Sequence, residues 1–149
     1  MHPDLNTLLE EREIYLALCR YARACDERNW DDLATVFTAD MTGDYGPNFQ
    51  LKSRAELVAM CRAMLDGCGP TQHLLGNLLV ERNGEELTSR CYVRAAHRGA
   101  GERAAQTLMV WAEYQDRWQH GSKGLRIIHR RMKVDFMQGE MAVLQPGKG

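Results

Sequence analysis

Nothing in these 149 residues is both long and apolar enough to span a membrane as a helix. The opening Met1-His-Pro-Asp-Leu-Asn-Thr7 has no basic stretch followed by an apolar one, as export requires, so the expected compartment is the cytoplasm. Charge of one sign is missing too. The formal net charge is -1, which gives no reason to expect nucleic acid or an anionic membrane as the main partner. The five cysteines (19, 25, 61, 68 and 91) are odd in number and form no CxxC pair. They read as reduced thiols, those in helical patterns acting as small apolar residues, with no structural disulfide. No pair of cysteines or histidines has zinc-finger or HExxH spacing, so neither a metal nor another cofactor is expected.

What is present suits one soluble domain with a single core: 44% hydrophobic and 26% charged residues. Residues 6–27 read as a long helix that Asn6 or Thr7 can cap, with Glu10, Glu11 and Glu13 loading its first turns. Ile14, Leu18, Ala22 and Cys25 form its apolar stripe. Asn29 opens a short helix over 30–36, and 37–45 reads as a first strand ended by Gly46-Pro47-Asn48. Ser53 with Glu56 makes a capping box for the next helix, stopped at Gly67-Cys-Gly-Pro70. The period then changes from 3.6 to 2. Strands are predicted over 71–82, 86–98, 104–119 and 125–136, with an Asn83-Gly84 hairpin and turns at 99–101 and 121–124. The core runs from about 8 to 136, and the tail over 138–149 is expected to be loose. Helices first and an antiparallel meander after give an α+β domain, a curved sheet wrapped over helices with a concave interior.

One residue is out of place in this pattern. On a helical wheel Tyr15, Cys19, Ala22 and Asp26 fall within about 60° of one another, so an acid sits on the side meant for the core. A buried carboxylate is costly unless paired. Strand alternation offers partners. His73 shares a face with Leu75, Asn77 and Leu79, and His97 with Leu87, Ser89, Cys91, Val93 and Ala95, while Arg90, Tyr92, Arg94 and Arg98 lie opposite. The basic run His129-Arg-Arg-Met-Lys133 reads as a solvated sheet face. Along 104–119 both faces are apolar, Leu108, Val110, Ala112, Tyr114 and Trp118 alternating with Met109 and Trp111, which points to a homodimer or homotrimer through the outer face.

Spacing leaves two readings of Asp26 and His73 open. In one, His73 is a core histidine bonded to backbone and Asp26 a solvated acid at a helix end. In the other the carboxylate fixes the tautomer of His73 and makes its second nitrogen a base for a C–H proton. Tyr21, Tyr45 and His97 would then donate to an oxygen or leaving group.

At these residues the chain resembles the SnoaL-like branch of the NTF2-like superfamily. The resemblance rests on Arg20-Tyr21-Ala-Arg-Ala-Cys-Asp26-Glu-Arg-Asn-Trp30, Phe37-Thr-Ala-Asp40, Pro70-Thr-Gln-His73-Leu-Leu-Gly-Asn77, Tyr114-Gln-Asp-Arg117 and Gly124-Leu-Arg-Ile-Ile-His-Arg130. It implies a cone-shaped fold with helices in the concave face of the sheet. The Tyr-x4-Asp helix with a strand histidine is similar to scytalone dehydratase, the bile-acid 7α-dehydratase and the γ-hexachlorocyclohexane dehydrochlorinase. It implies a cofactor-independent lyase or isomerase acting on a small cyclic hydrophobic substrate, with Asp26 and His73 as the dyad and Tyr21 as the helix tyrosine. His97 matches the second histidine of scytalone dehydratase less closely. The same superfamily also holds polyketide cyclases, isomerases and non-catalytic binding or assembly subunits, and fold alone does not choose among them.

Overall fold

The computed structural model describes residues 4–144. Helix α1 spans Leu5–Glu27. Its cap is Asp4, not Asn6 or Thr7: the Asp4 carboxylate accepts from the Thr7 amide at 2.8 Å. Starting the helix there leaves no acid in its first turn. Glu10 and Glu13 instead reach the sheet, Glu10 pairing with Arg82 and His120 and Glu13 accepting from the Leu125 amide at 2.7 Å. The chain leaves α1 through Arg28, which sits at φ 58° in the left-handed region and donates back to the Cys25 and Asp26 carbonyls. A 3-10 turn over Trp30–Thr35 follows, and helix α2 spans Arg54–Leu65 under a shifted form of the expected Ser53–Glu56 box: the Ser53 hydroxyl accepts from the Glu56 amide at 3.1 Å, and the Glu56 carboxylate accepts from the Lys52 amide at 2.7 Å in place of that of Ser53.

Six strands form one sheet: β1 Phe37–Asp44, β2 Gln50–Leu51, β3 Thr71–Asn83, β4 Glu86–Arg98, β5 Thr107–Gly121 and β6 Gly124–Gly139, in the order β2-β1-β6-β5-β4-β3. Strands β3 to β6 are the expected meander, and β1 joins it parallel to β6. The short β2 was not predicted, and β5 starts later than 104 because a 3-10 turn, Gly101–Arg103, occupies the connection. The helices pack against this curved sheet, giving the α+β architecture that the patterning predicts. The core joins Ile14, Leu18 and Cys25 of α1, Leu57 and Cys61 of α2, Phe37 and Met41 of β1, and the inward side chains of β4 to β6. Each fully buried large apolar side chain contributes roughly 1.5–3 kcal/mol.

Two register shifts correct the alternation. Between Gly76 and Leu79 the β3–β4 pairing slips, with Asn77 at φ 54°. Asn tolerates that backbone better than most residues. Beyond this bulge Leu78 and Val80 turn to the core, while Asn77 and Leu79, expected on the face of His73, point out. In β6, Trp118 pairs with Ile127 but Arg117 with His129, so Ile128 is the extra residue. That turns Arg130 inward. The run expected to be a solvated face therefore holds a fully buried arginine. The tail also differs from expectation. Strand β6 continues to Gly139, and Met141–Leu144 forms a 3-10 turn with Val143 buried and its carbonyl accepting from the Cys68 thiol at 3.1 Å. The remainder of the expected loose tail, 145–149, lies outside the described residues.

Candidate active site

Asp26 lies at the border of the buried stripe of α1, one position past fully buried Cys25, with Tyr15 on its own flank 47% exposed. Its carboxylate turns to the start of β3. There it accepts from His73 Nδ1 at 2.7 Å, from the His73 amide at 2.9 Å and from the Thr71 hydroxyl at 3.0 Å. The His73 side chain is only 7% exposed. Thr71 in turn accepts from Arg28 Nη1 at 2.8 Å, and Arg28 also donates to the carbonyls of Leu65 and Gly69. One arginine at the end of α1 thus fastens the helix to the entry of β3. Burial alone would raise the Asp26 carboxyl; the bonds from the His73 ring, its amide and Thr71 outweigh it and hold the group below the usual carboxylate range.

A carboxylate can only accept here, so Nδ1 carries the proton and Nε2 is left as the lone pair. Among the described residues nothing bonds Nε2. His73 borders a cavity of about 100 Å³ whose wall also includes Tyr21, Tyr45, His97 and Tyr114, with Met60, Met64, Met132 and Leu144 supplying apolar surface. It also borders an outer cleft of about 420 Å³ between α1 and β3, which Asp26 lines and the inner cavity does not. His73 thus faces both hollows and Asp26 only the outer one.

Four of the five residues singled out from the sequence, Tyr21, Tyr45, His73 and His97, line this cavity, and Asp26 is bonded to one of them, His73. The role expected of one changes. His97 Nδ1 bonds the Leu108 carbonyl at 3.1 Å, so this nitrogen is the donor and Nε2 the unprotonated one. Burial, opposed by the bond to the Leu108 carbonyl and joined by smaller contributions from His73 and Arg28, lowers the His97 pKa and so favours the neutral ring. It offers the cavity an acceptor rather than a donor. Its centroid lies 5.7 Å from that of His73. The donors are phenols. Tyr21 and Tyr114 hydroxyls bond each other at 3.3 Å, and the buried Tyr45 hydroxyl has no hydrogen-bond partner among the described residues. Burial first of all pushes all three phenols up, so they remain neutral.

Behind the phenols lies a group the alternation hid. Arg130 is completely buried, bonds Asp116 through Nε at 2.7 Å and Nη2 at 2.9 Å, and lies over the rings of Tyr114 (3.9 Å) and Tyr21 (4.4 Å). Its Nη1 has no hydrogen-bond partner among the described residues. A buried cation is attracted to the faces of the phenol rings, which fixes their orientation, and its charge partly offsets the effect of burial on the Tyr45 and Tyr114 hydroxyls. The sequence signal was there in part, since Asp116 and Tyr114 alternate inward on β5 and Thr71 precedes His73 by two. Cys61, on the cavity wall, lowers the neighbouring Cys25 thiol to about 7 against the effect of burial, and both cysteines pack in the hydrophobic core. No cluster of three or more acidic, histidine or cysteine side chains among the described residues is suited to hold a metal ion.

Comparison with known proteins names the family. The model of the SnoaL-like domain matches residues 6–131. The chain belongs to this SnoaL-like family. Uncharacterized proteins of Mycobacterium tuberculosis and Mycobacterium bovis are each 33% identical to it over 119 residues, 79% of this chain and 80% of theirs. Among solved structures, one from Novosphingobium aromaticivorans provisionally assigned as a scytalone dehydratase superposes with a TM-score of 0.80 at 22% identity, covering 89% of this chain and 88% of that one. The hexachlorocyclohexane dehydrochlorinase LinA-type3 of Novosphingobium barchaimii gives 0.74 at 12% identity, covering 91% of each chain. At these identities the likeness establishes the NTF2-like fold that the SnoaL-like chain shares with them. No helix among its described residues is long and apolar enough to cross a membrane.

Proposed function

We propose that this SnoaL-like protein is a cofactor-independent lyase or isomerase of the dehydratase type, acting on a small cyclic hydrophobic substrate. The observation that carries the reading is the 2.7 Å bond from His73 Nδ1 to Asp26, with Nε2 unbonded beside a largely apolar cavity. His73 Nε2 takes a proton from a ring carbon next to a carbonyl, and Asp26 orients the imidazole and stabilises its charged form. The oxygen that gains charge accepts from Tyr45 and from the Tyr21–Tyr114 pair. In the dehydratase case the C–O bond at the neighbouring carbon then breaks. The hydroxyl, held by His97, leaves as water with the proton returned from His73, and a ring double bond remains. In the isomerase case that proton returns to another ring carbon. The small volume limits the substrate to a compact ring, and Met60, Met64 and Met132 are the flexible side chains that adapt around it.

The same small volume favours the alternative of a non-catalytic ligand-binding or assembly subunit, and a base so placed would equally serve a cyclase-like aldol closure. A panel of ring alcohols and ketones separates these. Turnover by wild type that falls by about 10²–10⁴ in His73→Ala supports the base. Ligand binding without turnover, unchanged in His73→Ala, supports the binding reading.

The outer sheet face is assigned to contact with further copies of the chain, in a homodimer or homotrimer. Trp111 and Phe136 stack there at 4.3 Å, with Phe136 56%, Leu74 61% and Tyr92 55% exposed. Arg94 and Asp135 flank the same hollow, opposite charges that copies can satisfy reciprocally.

A further inference from the structure

At the other end of the outer face, away from the Trp111–Phe136 stack, basic side chains from three strands converge. Arg90 of β4 stands opposite Gln115 of β5, which stands opposite Arg131 of β6. One step along, Thr88 faces Arg117 and Arg117 faces His129. The two rows border one hollow of about 530 Å³, lined also by two acids: Glu81, which is exposed, and Asp116, which is buried and neutralised by Arg130. Arg131 has a distant counter-charge, Asp44 at 3.9 Å. Arg90 and Arg117 form no ion pair among the described residues, and both are exposed. His129 Nδ1 is bonded to the Thr42 hydroxyl at 2.6 Å, and burial, followed by Arg117, lowers its pKa.

Arg117 lies diagonal to both Arg90 and Arg131 on this face, within reach of long side chains, so three guanidinium groups repel one another around one hollow. The cost is offset if an anion sits among them. We propose that Arg90, Arg117 and Arg131, with Thr88 as a neutral donor, form a binding site for the phosphate group of a small soluble molecule, separate from the cavity at His73; the Gln115 amide between them is held by Glu113 at 2.9 Å. Donors arriving from three strands surround a tetrahedral group, whereas a planar carboxylate is satisfied by the fork of a single arginine. The partner is a phosphorylated metabolite rather than a polyanionic chain, because the chain as a whole carries a formal net charge of -1.

The test is calorimetric titration of the whole protein with inorganic pyrophosphate, set beside citrate and beside vesicles containing phosphatidic acid. Wild type binds pyrophosphate saturably and in preference to citrate. Arg90→Gln and Arg117→Gln each weaken binding by about tenfold. Arg23→Gln, which removes a positive charge from the exposed side of α1, leaves it unchanged. The exposed positions of Arg90 and Arg117 keep the fold intact, checked by circular dichroism. Absence of saturable binding would overturn the site, as would equal affinity in Arg90→Gln and Arg117→Gln. Citrate binding as tightly as pyrophosphate would overturn the phosphate assignment, and vesicle binding that pyrophosphate does not compete away would overturn the soluble ligand.

Discussion

Asp26 is held by three donors on a side chain that is 21% exposed. Its carboxyl is lower in the folded chain than in the unfolded one, so ionisation stabilises the fold. That stability is fully present above the unfolded value of about 4 and is lost as pH falls through the lowered folded value. Asp26→Asn keeps the shape and removes the charge. It should therefore cost about 1–3 kcal/mol at neutral pH, with the deficit shrinking in acid. Urea unfolding of both proteins at neutral pH and in acid reads this directly, and a deficit independent of pH would contradict it. Arg130 belongs to the same scale. Its charge is spent inside the molecule on Asp116, so it orients phenols at the cavity rather than meeting solvent.

Among the elements, the bulge at Asn77 decides which β3 side chains meet the core. Asn77→Val places a β-branched residue at φ 54° and should cost about 1–2 kcal/mol, whereas Asn77→Gly should be tolerated. Thermal unfolding distinguishes them, and equal melting temperatures would contradict the strained position. This bulge also shows where sequence reading stops. The long helix, the capping box at Ser53, the Asn83-Gly84 hairpin and the meander were all legible, because each is written in local residue chemistry or in a period of 3.6 or 2. One extra residue in a strand leaves no such mark and turns every later side chain over. That is why Leu79 and Arg130 were assigned to the wrong faces. The pairing of Asp26 with His73, 47 residues apart, was visible as an acid in need of a partner. The acceptor role of His97 was not, since it depends on a carbonyl eleven residues away across the β4–β5 ladder.

For the whole molecule, the two faces of the sheet differ in chemistry. The concave one carries the dyad, the phenols and the cavity. The outer one is apolar at the Trp111–Phe136 end and basic at the Arg90–Arg117 end. If the apolar end joins copies, light scattering at micromolar concentration gives the mass of a dimer or trimer, and Phe136→Glu shifts it to that of a monomer. A monomeric wild type would remove the assignment. The central claim, that Asp26 and His73 form a base able to take a C–H proton in the cavity, has a test that does not depend on which reaction follows. Exchange of the ring protons next to the carbonyl of cyclohexanone for deuterium from heavy water can be followed by NMR. The expected result is exchange catalysed by wild type and reduced by about 10²–10⁴ in His73→Ala; exchange at the same rate in both proteins, or none above background with wild type, would contradict it.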